Sequence, residues 1–178
     1  MLDSVDIDEL EKVVTTMVTA FKNGNTVFIC GNGGSAATSS HIQVDFTYFI
    51  RHFTQYKPRI LSLTDNTSMI SAIGNDTSFD NIFAHQLNGM LLTGDVVLCI
   101  SASGNSENVI RAAQFCNENG GTSIAFVGFG GGKLKEVCNY SIHNENPKGD
   151  YGPIEDLHLI YNHLIVTFLS KDEEFLSL

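Results

Sequence analysis

The chain has 178 residues, 20 acidic against 10 basic, for a net charge of -10. That length suits one domain with a substantial core, and the acidic balance disfavours binding to a nucleic-acid phosphate backbone. Four cysteines without metal-knuckle or redox spacing read as buried thiols of a reducing compartment, and no apolar run reaches the length of a bilayer span.

The N-terminal residues are acidic and lack the apolar core of a signal segment, so a cytoplasmic location is expected. From Ile7, apolar residues recur at Leu10, Val14, Met17, Val18 and Phe21, which is helical spacing, and Gly24 stands where a C-cap would end the helix. Val13 and Ala20 widen the stripe. So broad a face can cover the chain's own core or meet a partner helix.

Short Val/Ile-rich runs follow at 26–30, 59–63, 96–100, 122–127 and 140–143. Helical patterns separate or follow them at 36–49, 68–73, 79–90, 107–119 and 153–170. Continuous apolar strands alternating with helices predict a parallel sheet covered on both faces, with any ligand at the carboxyl ends of the strands.

Two of those strand ends carry Gly/Ser turns. Asn32, Gly33, Gly34 and Ser35 follow the first strand and open a helix, with glycines that allow close backbone approach but no P-loop lysine. Ser101, Ala102, Ser103, Gly104, Asn105 and Ser106 follow the third. Helix-start amides and three hydroxyls at one strand end suit a phosphate, although Ser106 could equally be a plain N-cap.

His41 and Asp45 lie four apart on the helix that the first turn opens, a spacing that serves either a surface hydrogen bond or two ligands of one divalent ion. The last helix pattern carries Glu155, Asp156, His158 and His163 beside an apolar side of Ile154, Leu157, Tyr161, Leu164, Ile165 and Phe168. Alone, that is an amphipathic core helix. His52, His85 and His143 read as surface or loop residues.

In order and spacing, CGNGGS at 30–35, the His41 helix, GND at 74–76, SASGNS at 101–106 and the terminal helix resemble the sugar isomerase (SIS) domain over nearly the whole chain. Within it they resemble the phosphoheptose isomerases, which interconvert sedoheptulose 7-phosphate and D-glycero-D-manno-heptose 7-phosphate. The resemblance implies an α/β three-layer sandwich on a mainly parallel five-stranded sheet, a single domain over 1–178, and a homotetramer with sites at subunit interfaces and the N-terminal helix contributing. It implies a sugar phosphate contacted at Asn32, Gly33, Gly34, Ser35, Asn75, Asp76, Ser101, Ala102, Ser103, Ser106 and Glu155. It also implies zinc on His41, Asp45, Glu155 and His163, with Asp45 and His163 moving protons. Arg51 could reach a neighbour's sugar phosphate or lie solvated.

Two positions depart from the pattern, Asp45 standing for glutamate and Glu155 for glutamine. The eight residues between Glu155 and His163 span roughly 12 Å of ideal helix, so both meet one metal only through an irregular helix start or a second subunit. The alternative function is a catalytically silent SIS protein that binds a sugar phosphate or a protein partner.

Overall fold

The computed structural model describes residues 5–53 and 57–176; residues 1–4 of the acidic N-terminus and the Arg51 side chain lie outside the described part. Five strands, β1 (Thr26–Gly31), β2 (Arg59–Ser62), β3 (Val96–Ser101), β4 (Thr122–Val127) and β5 (Tyr140–His143), form one sheet in the order β2-β1-β3-β4-β5. Every pairing is parallel. The order reverses direction between β1 and β3, which opens a crevice at their carboxyl ends.

Strand alternation divides the core into two layers. Val27 and Ile29 of β1 face one way with Val96, Leu98, Ile100, Ile124 and Phe126, under α1 (Ile7–Lys22), α2 (Gly34–Val44) and α7 (Tyr151–Leu169). Phe28 and Cys30 face the other with Val97, Cys99, Ala125 and Val127, under α4 (Ala84–Asn88), α5 (Glu107–Glu118) and α6 (Gly132–Val137). Between α2 and α4, α3 (Thr67–Asp76) follows β2; at the end of the chain, α8 (Glu173–Leu176) follows α7. The sandwich has three layers.

Helix α1 begins at an Asp6 cap whose carboxylate accepts from the Glu9 amide, and Gly24 takes the left-handed conformation just beyond its end. Its stripe splits. Val13, Met17, Ala20 and Phe21 are buried in the core, whereas Ile7, Leu10, Val14 and Val18 line an open groove with Leu164 and Phe168 of α7.

The expected helix 36–49 changes character at Asp45, where a π-helical stretch, Asp45–Phe49, replaces the α-helix. Ile42, Phe46 and Ile50 are all buried, four residues apart. The π stretch lies between the first and last of these and leaves all three on the core face. The expected helix 79–90 is broken as well, into a 3₁₀ turn at Phe79–Asn81 and the short α4, because Arg111 binds the Asn81 side chain and buried Gln86 donates to the carbonyls of Leu63 and Ile82. All four cysteines are free and only Cys138 is partly exposed. Among the described residues no helix is long and apolar enough to cross a membrane.

Candidate active site

Register brings the two Gly/Ser turns together. Gly31 pairs with Ile100, so Asn32 leaves the sheet level with Ser101. The turns are then stapled, since Asn32 and Asn108 each donate a side-chain hydrogen bond of 2.9 Å to the other. Ser35 is buried within the first turn of α2.

The second turn prepares its hydroxyls as donors. Ser101 Oγ accepts from the Gly104 amide and Ser103 Oγ from the Asn105 amide, at 3.2 Å each, which occupies lone pairs and leaves the hydroxyl protons to give. Ser106 holds the N-cap position of α5, yet its side chain caps nothing and lies 3.4 Å from Ser101 Oγ. Its hydroxyl is therefore beside Ser101 rather than spent on the helix. Ala102 is buried between these serines.

Gly104 makes this packing possible. It sits at φ 63°, and a Cβ there would overlap the Gly131 carbonyl of the neighbouring turn. Gly104→Ala is expected to lower stability by about 2–4 kcal/mol, from left-handed strain plus a backbone overlap that cannot relax by side-chain rotation. Urea unfolding of the variant measures it.

The ionisable cluster lies between α2 and α7. His41 Nε2 is 3.3 Å from Asp45 Oδ2 and 3.2 Å from His163 Nε2, and His163 Nε2 is 3.9 Å from the same Asp45 oxygen. One ligand atom from each of the three falls within 4.8 Å of the others. Asp45 is the first residue of the π turn, and such turns recur at functional positions because they re-aim a side chain. Asn162, one residue before His163, donates to Asp45 Oδ2 at 2.6 Å. Asn162 has no motif spacing of its own; a lone amide inside an apolar helical face is the signal that marks it.

Glu155 stands apart from this cluster. Its carboxylate packs directly on Gly34, so that any Cβ at 34 would collide with it, and it makes no hydrogen bond among the described residues. Since α2 and α7 run side by side, with Gly34 at Glu155 and His41 at His163, the carboxylate is near the amide-rich turn, about 10 Å along α2 from the histidines. The start of α7 is regular and does not close that gap. Asn75 and Asp76 are exposed at the end of α3, where Asn75 donates to Asp76, and no hydrogen bond ties them to either turn among the described residues.

His158 is buried, not part of a polar face, and Leu164 and Phe168 are exposed, not part of the core. His143 is engaged, with Nε2 3.0 Å from the Phe129 carbonyl oxygen and Nδ1 3.1 Å from Lys135 Nζ.

The SIS domain model matches residues 2–128. The chain belongs to the SIS domain family. Within that family, a phosphoheptose isomerase of Clostridium acetobutylicum is 37% identical over 170 residues, 96% of this chain and 85% of the relative. The solved phosphoheptose isomerase of Neisseria gonorrhoeae superposes with a TM-score of 0.83 at 30% identity, covering 90% of this chain and 84% of that one. The Francisella tularensis phosphoheptose isomerase gives 0.85 at 26% identity, with 96% and 89% covered. The expected sheet, its parallel pairing and the SIS assignment therefore hold, and the chain falls in the phosphoheptose isomerase branch.

Two imidazoles and a carboxylate are a donor set suited to zinc. Ligand atoms around a four-coordinate zinc lie roughly 3.3 Å apart when the bonds are about 2.0–2.1 Å; the separations here are 3.2, 3.3 and 3.9 Å, so two match and the His163–Asp45 edge is longer.

Proposed function

We propose that this SIS protein is an aldose-ketose isomerase that interconverts sedoheptulose 7-phosphate and D-glycero-D-manno-heptose 7-phosphate. The observation that carries the reading is the convergence on one point of His41 and Asp45, from the helix that the first Gly/Ser turn opens and the π turn that continues it, with His163 of α7. Relatives named phosphoheptose isomerase at about this length and identity support the substrate.

The two turns hold the phosphate. Ser35, Ser101, Ser103 and Ser106 supply hydroxyls, the first turns of α2 and α5 supply amides, and Asn32, Gly33, Gly34 and Ala102 shape the cradle. Asn75 and Asp76 contact sugar hydroxyls. Glu155, lying at Gly34, faces the phosphate end of the sugar in a single chain.

His41, Asp45 and His163 would hold a divalent ion, zinc by the donor set, which polarises the substrate carbonyl when bound. Asp45 removes the proton from the carbon beside the carbonyl, giving an enediol, and His163 moves the proton between the two oxygens. The proton returned to the neighbouring carbon completes the exchange of ketose for aldose. Glu155 joins the ligand set implied by the family only if a second subunit brings it there.

The chain acts as a single domain and assembles as a homotetramer, with α1 contributing; the exposed Ile7, Leu164 and Phe168 along the α1/α7 groove support this. Four free thiols support a cytoplasmic location.

The test is conversion of sedoheptulose 7-phosphate by the purified protein with and without a chelator. Chelation is expected to reduce turnover more than about 100-fold, and added zinc to restore it. Turnover that survives chelation removes the metal from the mechanism. A folded sample that binds the sugar phosphate but never converts it, with or without zinc, establishes the silent sugar-phosphate binder instead.

A further inference from the structure

Asn162 lies on the core face of α7, 2% exposed, with Leu157, Tyr161 and Ile165 buried along the same face. An aliphatic side chain would fill such a place without cost. The amide is instead aimed at Asp45, with Nδ2 2.6 Å from Oδ2. Its orientation is fixed by chemistry, because an ionised carboxylate can only accept a hydrogen bond and must face the NH₂. The amide Oδ1 is then left buried with no hydrogen-bond partner among the described residues. A buried unpaired oxygen is unfavourable for folding, so packing does not explain this residue.

The three polar neighbours of Asp45 gather on one oxygen. Asn162 Nδ2, His41 Nε2 and His163 Nε2 all face Oδ2, and Oδ1 makes no hydrogen bond among the described residues. Aspartate has a short arm with few rotamers, so a single donor on one oxygen sets where the other points.

We propose that Asn162 is a positioning residue for Asp45: its amide holds Oδ2 and so presents Oδ1 to the reacting carbon. This rests on the reading of Asp45 as base and ligand. The amide touches no substrate. It acts through the carboxylate, as groups behind metal ligands commonly do.

Asn162→Leu removes the donor at similar volume. It is expected to leave the melting temperature unchanged or raised and the KM for sedoheptulose 7-phosphate within about 2-fold, while kcat falls about 10–100-fold. Zinc affinity, measured by competition with a chromogenic chelator, is expected to weaken about 10-fold. Asn162→Ala carries the same kcat, KM and zinc expectations, with a lowered melting temperature from the cavity it leaves, if the leucine variant does not fold. In a D45E background the longer arm has already moved the carboxylate off the amide, and N162L should then cost less than about 3-fold in either readout.

Equal losses in both backgrounds, a loss confined to KM, or unchanged kcat and zinc affinity would overturn the proposal. If the native protein converts no heptose phosphate, the functional reading fails separately, and zinc affinity alone decides. A tenfold weakening in N162L then upholds the positioning role, and unchanged affinity overturns it.

Discussion

Asp45→Asn is expected to lower kcat for sedoheptulose 7-phosphate by about 10²–10⁴-fold, the range a positioned general base contributes. The substitution keeps the size of the side chain and removes its negative charge and its basicity. Two losses coincide, because the same group is the proposed base and the anionic member of the His41, Asp45 and His163 set. The phosphate cradle should be untouched, since Ser101, Ser103 and Ser106 sit on a different strand end and are organised by their own backbone amides. KM should therefore move little, and kcat should carry the effect. Wild-type kcat in the variant would exclude Asp45 as the base. A change confined to KM would reassign it to ground-state binding.

Much of the fold was legible because burial on both faces of the sheet writes itself as uninterrupted apolar runs. Runs such as VVLCI can be nothing but interior, and the Gly/Ser turns mark where each strand ends. The site was legible in part for a related reason. Backbone-driven phosphate sites need glycine and serine at a strand end, and a helical i, i+4 pair is local, so both leave traces in a short window of sequence.

What stayed hidden depends on contacts between distant elements. The π turn at Asp45 lies among the buried Ile42, Phe46 and Ile50, a spacing that an α-helix would also serve, so no local propensity announces it. Family likeness groups Glu155 with the histidines, whereas the side-by-side packing of α2 and α7 sets it against Gly34. His158 read as polar because histidine usually is. It is buried instead, with its ring against Phe126 of β4 at 5.9 Å.

That buried imidazole makes stability depend on pH in a predictable direction. His158 is 1% exposed and its ring nitrogens have no hydrogen-bond partner among the described residues. Burial, opposed by the nearby Val127 backbone, lowers its pKa from 6.5 to about 4. Between those values the unfolded chain holds a proton on this residue that the folded chain lacks. Its contribution is therefore fully present above about pH 6.5 and is lost as the pH falls towards 4, by about 3 kcal/mol. Carboxylates titrate in the lower part of the same range, so the comparison must be with a variant. His158→Leu removes the titrating group and two unpartnered polar atoms, and it should be at least as stable as the native chain at pH 7. On acidification the native chain should lose about 3 kcal/mol more than the variant between pH 7 and 4, read as the difference of their urea unfolding free energies. Parallel pH profiles for the two proteins would mean that the imidazole is protonated inside the fold, and that some group beside Phe126 and Val127 stabilises the charge.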